Sequence, residues 1–452
     1  MKKDSKKILD GPIIPILAKL TWPMIFGMLG MIVFNLVDTY YIGKVGVEEL
    51  AAIGFTFPVI MFISSISMGI GIGTSSLISR TFVSEEKKTV QQYATEALLL
   101  AIIIILVFIF IGLSSIDPVF KLLGASNELL PLIHEYMDIW YWGMIFVVIP
   151  MVGNNIIRAT GDTFTPGMIM LISAIANIII DPILIFGIGP IPAMGLKGAA
   201  IATIIGRSFA FILSLYVLTK KKNLISKKIP SIKHVLETWK RVLSIAGPAS
   251  VGMLITPISI GILTKIISGF GEEAIASFGI VSRIETFALL VVHALASVMI
   301  IFAGQNWAKK QFLRLNRSIN ITSIFSVLWG VMLFVIFVFA ADKIAGLFSN
   351  NINVINIIAK YLRIVSLSYV FQGIMMLGIT VFNGINKPLR SASLLITRMF
   401  VLYVPLAYFA SKYFGLTGVF WAAFIANVVV GVVSFISLKA VLKKKMVLNI
   451  SN

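Results

Sequence analysis

The chain is built from long apolar runs separated by short polar stretches that contain glycine, proline or charged residues. Twelve of these runs are near or above the ~20 residues with which a helix crosses a bilayer. They are continuously apolar and do not alternate with a period of two, so they predict helices and not barrel strands. The predicted spans lie near 18–42, 51–79, 93–115, 134–157, 164–187, 196–219, 242–268, 274–304, 317–340, 354–383, 389–411 and 416–438.

The composition agrees with a membrane protein and argues against a soluble enzyme. Hydrophobic residues make up 58% of the chain and charged residues 13%, whereas soluble domains carry about 25% charged residues. There is no cysteine, and no Gly-rich phosphate loop ends in Lys-Ser/Thr, so neither thiolate chemistry nor ATP binding is expected. We predict a protein without a cofactor that draws its energy from an ion gradient, and no removable signal peptide.

The basic residues predict the orientation. Most of the 38 Lys and Arg residues lie in the N-terminal tail and in the loops on one side of the predicted spans. Short basic loops stay cytoplasmic, so both termini are predicted to lie on the cytoplasmic side of the cell membrane. The net charge of +19 is then a topology signal and does not indicate nucleic acid as a partner. The tail and the central loop contribute Lys2, Lys3, Lys6, Lys7, Lys220, Lys221, Lys222, Lys227 and Lys228.

An internal repeat divides the chain. Residues 23–54 align without gaps with 248–279, and ten positions are identical, including Pro23 with Pro248 and Gly27 with Gly252. Six helices per half is an even number, so the repeats are parallel, and such pairs usually place a substrate site at their interface. We predict an N-terminal lobe over 1–222, a linker over 223–241 and a C-terminal lobe over 242–452. Each lobe has its partner in the same chain, so a monomer is expected.

The linker carries a helical pattern of its own. Apolar residues recur at Ile232, Val235, Leu236 and Trp239, and polar residues, including His234, fall on the other face. This spacing predicts a short amphipathic helix on the cytoplasmic membrane surface, with His234 in solvent.

Ionisable groups inside predicted spans are costly and usually functional, and two acidic residues there stand out by their position. Asp38 and Asp181 are each about six residues from the outer end of their span, which places them at a similar depth. Asn177 is one turn from Asp181, and Thr203 lies at a comparable depth in the next span. Oxygen-bearing groups at one depth predict a proton or sodium site. Two buried acids satisfied by neighbouring helices are the structural alternative.

Two prolines bear on this site. Pro182 follows Asp181 and leaves the carbonyl of Ile178 without its usual donor, which favours cation coordination nearby. Pro23 interrupts the hydrogen-bond ladder of the first helix and predicts a kink. The kink could be static, or it could switch between two shapes when Asp38 is protonated.

Other charged residues have less specific interpretations. Arg207 lies in the sixth span, and Arg283, Glu285 and Arg398 lie in the second lobe, where structural ion pairs compete with cavity or substrate contacts. We expect His293 to be a satisfied buried histidine. Arg158 and Asp162 are expected to pair and to fix a turn at Gly161.

Several motifs together resemble one transporter family. They are Phe34-Asn35-Leu36-Val37-Asp38-Thr39, Arg158-Ala159-Thr160-Gly161-Asp162-Thr163 with Pro166, and Gly304-Gln305-Asn306. The chain resembles the multidrug and toxic compound extrusion (MATE) transporters over essentially its whole length. The resemblance implies a V-shaped pair of lobes, alternating access, and export of cationic amphiphilic drugs in exchange for H⁺ or Na⁺.

The resemblance extends to the ion site. In the prokaryotic branch related to DNA-damage-inducible members, the site consists of an Asp in helix 1, an Asn and an Asp in helix 5 and a Thr in helix 6. Asp38, Asn177, Asp181 and Thr203 match this pattern and would hold Na⁺ if that were the coupling ion. Another branch has a coupling Glu in helix 7, which this chain lacks.

Two other functions remain open. A lipid-linked oligosaccharide or lipid flippase of the same superfamily would show more cationic residues facing a cavity. An intramembrane enzyme would need a catalytic constellation, which Asp38 and Asp181 could only imitate, so we do not expect an enzyme.

Overall fold

The computed structural model describes residues 8–226 and 231–450, and within these ranges the chain is almost entirely helical and contains no strand. The tail lysines up to Lys7 and the linker residues Lys227 and Lys228 lie outside the described residues. The helices of the first half are α1 (Ile13–Val45), α2 (Val47–Ser84), α3 (Lys87–Ser114), α4 (Ile116–Leu122), α5 (Leu130–Ala159), α6 (Phe164–Phe186) and α7 (Gly195–Tyr216), the last extended by a π-helical turn (Val217–Lys221).

The second half repeats this arrangement with more interruptions. Its helices are α8 (Ile232–Ser268), α9 (Glu272–Ala288), α10 (Leu290–Ala308), α11 (Phe312–Gly346), α12 (Ile352–Val365), α13 (Tyr369–Gly384), α14 (Pro388–Ile396) and α15 (Val404–Ile450). A 3-10 turn (Ser366–Ser368) joins α12 to α13, and a π-helical segment (Thr397–Tyr403) joins α14 to α15.

The helices account for the predicted spans. Among the described residues, eleven helical segments are long and apolar enough to cross a membrane, and one of them, Pro388–Val447, covers 60 residues. That segment breaks at Gly415, whose φ of 59° and ψ of −149° are not helical, so it supplies two spans. With this segment counted as two, the described helices supply the twelve predicted spans. The eighth predicted span differs in detail, because it is divided at Leu289 into α9 and α10.

Packing divides the chain into two units. Unit 1 contains Lys19–Ser250, and unit 2 contains Leu9–Ala18 together with the chain from Val251 onward. Each unit has its own hydrophobic core, centred on residues such as Met137 and Met144 in unit 1 and on Leu362 and Phe420 in unit 2. Other large apolar side chains, for example Phe110 and Phe339, are exposed, as expected for helix surfaces that contact lipid.

The prediction of the linker helix is wrong in two respects. The segment from Ile232 is not a separate short helix, because it continues without a break into the membrane-spanning part of α8. Ile232 and Leu236 of the predicted apolar face are exposed, and His234 of the predicted polar face is half-buried against α3. The amphipathic pattern failed because a polar contact, described below, decides which face of α8 packs.

Candidate functional site

Unit 1 brings the four predicted ion-site residues together from three helices. Asp38 lies on α1, Asn177 and Asp181 lie one turn apart on α6, and Thr203 lies on α7. Asn177, Asp181 and Thr203 are 3%, 0% and 8% exposed. Asp38 is half-buried and is close enough to Asp181 for the two carboxyl groups to interact electrostatically. The four residues therefore form one polar cluster, here called the acidic cluster.

A glycine allows α6 and α7 to approach each other at this cluster. A Cβ atom at Gly206 would lie 2.9 Å from the Cβ of Asn177. The hydroxyl of Ser173 donates a 2.8 Å hydrogen bond to the carbonyl oxygen of Gly206 in the same contact. Small residues let helices pack closely inside membranes, so Gly206 sets the short distance between α6 and α7.

The opposite flank of α6 packs against α1 near Pro23. A Cβ atom at Gly167 would lie 2.5 Å from the carbonyl oxygen of Pro23, and one at Gly27 would lie 3.1 Å from the Cα of Gly167. The hydroxyl of Thr163 donates a 2.7 Å hydrogen bond to the carbonyl oxygen of Leu20. Pro23 thus lies in the contact between α1 and the helix that carries Asn177 and Asp181. Its role as a conformational switch stays a prediction.

Several buried polar atoms of the acidic cluster make no hydrogen bond of ordinary geometry within the described part of the chain, although Asn177 lies close enough to Asp181 to interact with it. They are both carboxylate oxygens of Asp181, both side-chain amide atoms of Asn177 and Oδ1 of Asp38. Proteins satisfy about 90% or more of their buried polar groups, and a buried ionised carboxylate without a partner is especially costly. A proton on one carboxyl group, or a cation among these oxygens, would satisfy them. Carboxylate and amide oxygens are ligands for hard cations such as Na⁺.

Tyr136 is a member of this environment that the sequence analysis missed. It lies on α5, is 6% exposed, and interacts electrostatically with Asp38, Asp181 and Arg207. Its hydroxyl lies against the hydroxyl of Thr203. Tyr136 escaped notice because aromatic residues near the end of a predicted span are common at membrane interfaces.

Arg207 lines a cavity next to the acidic cluster. It lies one turn along α7 from Thr203, and the cavity, about 180 Å³ of space that is partly open to solvent, is lined by Met31 and Phe34 of α1 and by Asn177 and Thr203 of the acidic cluster. Nη1 of Arg207 is 3.6 Å from the sulfur of Met31, and the guanidinium carbon is 5.5 Å from the centre of the Phe34 ring. Among the described residues no carboxylate lies within salt-bridge distance of Arg207, so of the interpretations left open for it the structural ion pair does not form.

Glu285 and Arg398 of unit 2 also form no ion pair with a described residue, and both are hydrogen-bonded to neutral side chains. The amide of Gln372 donates a 2.8 Å hydrogen bond to Glu285, and the hydroxyl of Tyr361 donates one of 3.2 Å. Nε of Arg398 donates a 2.8 Å hydrogen bond to Asn427, whose amide donates to Gln372. The two charges are therefore connected through two neutral amides.

Arg283 and His293 do not occupy the predicted environments. Arg283 is exposed on α9 and makes no side-chain hydrogen bond or salt bridge with another described residue. It faces away from Glu285 because residues two apart on a helix point in different directions. His293 is exposed on α10 and lies close enough to Arg398 to interact with it electrostatically, so the predicted satisfied burial is wrong.

The turn between α5 and α6 is fixed, but not by the predicted Arg158–Asp162 pair. Arg158 donates a 2.7 Å hydrogen bond to Asn155, one turn earlier on its own helix. Asp162 forms a 2.9 Å salt bridge with Lys222 and accepts hydrogen bonds from the backbone and hydroxyl of Thr165. Burial raises the pKa of Asp162, but the bond from the Thr165 backbone and the Lys222 ammonium outweigh it, so the pKa lies below its ordinary value.

A fully buried acid explains the position of His234. Glu96 of α3 is 0% exposed, and its carboxylate is 2.7 Å from Nδ1 of His234 and accepts a 2.5 Å hydrogen bond from Thr238. The indole of Trp239 donates a 2.9 Å hydrogen bond to the backbone carbonyl of Glu96, and the ring of His234 stacks on Tyr93. Glu96 lies inside the predicted span 93–115, so a search for acids within spans could have found it.

The comparisons with known proteins agree with this architecture. Residues 23–183 and 248–409 each match the MatE family, so the two matches reproduce the predicted duplication. A FAD transporter of Shewanella oneidensis is 35% identical over 433 residues, which cover 96% of each chain. The multidrug export protein MepA of Staphylococcus saprophyticus is 24% identical and is matched over 90% of this chain and 89% of its own.

Solved structures extend the likeness to the fold. The crystal structure of a D35N mutant of the Vibrio cholerae MATE transporter VcmN superposes with a TM-score of 0.89, at 27% identity and 98% coverage of both chains. This likeness supports the predicted all-helical membrane fold with two six-helix halves. The relatives are transporters and not enzymes. The two family matches cover most of the chain, and its fold agrees with that of a solved MATE transporter. The chain therefore belongs to the MatE family of prokaryotic MATE membrane transporters.

Proposed function

We propose that this protein exports a small aromatic solute from the cytoplasm in exchange for H⁺ or Na⁺. The partnerless oxygens of Asp38 and Asp181 carry the proposal, because buried carboxylates without protein partners need a proton or a cation. An ion gradient fits as the energy source, since the sequence contains no phosphate-binding loop for ATP.

The acidic cluster is suited to either ion. A proton would neutralise one of two carboxyl groups that interact electrostatically. A sodium ion would take oxygen ligands from Asp38, Asn177, Asp181 and Thr203. Neither ion is a resident cofactor, because in an exchanger the ion is itself transported.

The first helix offers a physical link between ion and solute. Asp38 of the acidic cluster and Met31 and Phe34 of the adjacent cavity all lie on α1, within two turns of each other. Pro23 lacks a backbone donor, which lowers the cost of bending α1. Binding of an ion at Asp38 would change the shape of α1 and thereby the cavity. Asn177 and Thr203 of the acidic cluster also line this cavity, so the ion and the solute would occupy adjoining parts of one site.

A flavin dinucleotide is the first substrate candidate. The relative from Shewanella oneidensis, which matches nearly the whole chain, is named FAD transporter. An aromatic isoalloxazine suits the Met31 and Phe34 side chains, and a phosphate-bearing solute suits a cavity that contains Arg207.

Cationic amphiphilic drugs are the second candidate, since the MepA relative is named a multidrug export protein. The carboxylates of Asp38 and Asp181 would attract such cations. Lipid flipping has less support. A flippase would show several cationic residues facing a cavity, whereas Arg207 is the one arginine among the residues that line the described cavity of unit 1.

The proposed setting is the cell membrane, with both termini in the cytoplasm. The orientation rests on the basic loops, and a monomer is proposed because the two halves are supplied by one chain.

Transport into inside-out vesicles tests the function. Vesicles with the wild-type protein would receive external FAD or ethidium, with an H⁺ gradient and a Na⁺ gradient imposed separately and the membrane potential clamped. We expect FAD uptake that depends on one of the two gradients. Gradient-driven uptake of ethidium alone would favour the second candidate, and the absence of gradient dependence for both compounds would refute ion exchange.

A further inference from the structure

Arg207 is a charged group that the ion site does not use. Its guanidinium lies within a membrane-spanning helix of unit 1, where a mid-helix arginine costs about 2.5–3.5 kcal/mol on insertion scales and usually marks a functional site. Thr203 of the acidic cluster lies four residues earlier, so Arg207 is displaced from it by ~6 Å along α7.

The neighbours of Arg207 do not neutralise it. Its described contacts are the sulfur of Met31 and the ring of Phe34, which are polarisable but uncharged. Tyr136 is the titratable group with which it interacts electrostatically, and Tyr136 interacts in turn with Asp38 and Asp181. Contact with a ring stabilises a guanidinium by about 0.5–2 kcal/mol, which leaves the positive charge without a counter-ion.

The cavity next to this guanidinium is far too small for an entire dinucleotide. About 180 Å³ of space, partly open to solvent, lies beside Arg207, Met31 and Phe34 and is also lined by Asn177 and Thr203. A planar guanidinium presents donors in a fork that matches phosphate oxygens, which makes arginine the preferred residue for phosphate recognition. Apolar and aromatic side chains beside it are suited to the ring that adjoins such a group.

We propose that Arg207 binds the phosphate group of the exported solute, so that the cavity of unit 1 selects phosphate-bearing anions over cationic amphiphiles. This inference rests on the proposed export function and specifies its substrate class. The shared chemistry is a phosphate ester, which a flavin nucleotide or a phospholipid headgroup could supply.

The test compares FAD with riboflavin, which has the same ring system but no phosphate. Binding to the purified full-length protein in nanodiscs would be followed by flavin fluorescence for the wild type, Arg207→Gln and Arg207→Met. Lys197→Gln is the control, because Lys197 is exposed near the start of the same helix and its substitution removes the same charge. Thermal unfolding of each variant establishes that it is folded, and two replacements are used in case one fails to fold.

We expect Arg207→Gln to weaken FAD binding at least tenfold, to leave riboflavin binding within about twofold, and to strengthen ethidium binding. Lys197→Gln should bind all three like the wild type. Equal losses for FAD and riboflavin, or unchanged FAD binding, would overturn the role of Arg207 while leaving export of FAD intact.

A different result would separate the inference from the proposed function. If the wild type fails to bind FAD but binds a short-chain phosphatidylglycerol in an Arg207-dependent manner, the flavin substrate is wrong and the phosphate site stands, with lipid as its source. If neither compound binds, the phosphate site is refuted.

Discussion

Replacing Gly167 with alanine tests the contact that joins α1 to the helix of the acidic cluster. The new methyl group would lie 2.5 Å from the carbonyl oxygen of Pro23, roughly 1 Å closer than ordinary contact. Backbone atoms cannot rotate away as a side chain can, so α1 or α6 must shift.

The magnitude follows from two opposing effects. Overpacking of a tight interior contact costs about 1–3 kcal/mol. Alanine in place of glycine restricts the unfolded chain, which stabilises the folded state by about 0.4–1 kcal/mol. The expected net loss for Gly167→Ala is about 1–2 kcal/mol, which would appear as a midpoint of thermal unfolding lower by a few degrees.

The assay is thermal unfolding of the purified full-length protein, followed by tryptophan fluorescence. Gly54→Ala is the matched control, because Gly54 is also helical and no atom lies within 4 Å of its would-be Cβ. We expect Gly54→Ala to be as stable as the wild type or more stable. If Gly167→Ala were equally stable, the tight packing of α1 on α6 at Pro23 would be refuted.

Two further predictions concern the buried polar contacts of unit 1. His234→Phe keeps a ring to stack on Tyr93 but leaves one oxygen of the buried Glu96 without its partner, so unfolding measurements should show a loss of about 1–3 kcal/mol. The exposed neighbour variant Lys233→Gln should change stability by less than about 0.5 kcal/mol; similar effects of both would contradict the contact. Folding lowers the pKa of Asp162, so the ionised carboxylate stabilises the fold at pH values above the ordinary aspartate pKa of 3.8. This stabilisation is lost as the pH falls through the pKa that Asp162 has in the folded protein. Unfolding temperatures between pH 3 and 7 should therefore show a deficit for Asp162→Asn that is full at neutral pH and closes below pH 4, and a deficit independent of pH would contradict this.

Much of the fold was accessible from the sequence because a membrane imposes simple rules on it. A bilayer requires long apolar helices, so the spans follow from hydrophobic runs. The repeat could be found because glycines and prolines, such as Gly27 with Gly252 and Pro23 with Pro248, align together. The family matches at 23–183 and 248–409 reproduce this register.

Side-chain partners were harder to predict, because they depend on how helices are rotated against each other. The apolar spacing of its segment predicts His234 in solvent, but Glu96, more than 130 residues away in sequence, determines which face packs. Arg158 and Asp162 lie close in sequence, yet each prefers another partner, Asn155 and Lys222. Such contacts require the rotation of each helix, which an apolar run does not specify.

The acidic cluster could be anticipated in part. Asp38 and Asp181 were recognisable because carboxyl groups are rare inside spans, and their similar depth predicted their proximity. Tyr136 was not recognisable, because its importance lies in its interaction with both carboxyl groups and Arg207 from a fourth helix. Gly206 likewise matters only through its closeness to Asn177.

The central claim is that an ion bound at Asp38 and Asp181 drives transport. The most direct test compares ion-driven accumulation of the transported solute in proteoliposomes with the wild type, Asp38→Asn and Asp181→Asn. Asp342→Asn is the control, since Asp342 is an exposed acid paired with Arg363. We predict that the wild type and the control accumulate solute against its gradient, whereas both cluster variants only equilibrate it. Undiminished accumulation by Asp38→Asn and Asp181→Asn in the folded, membrane-inserted protein would contradict the account.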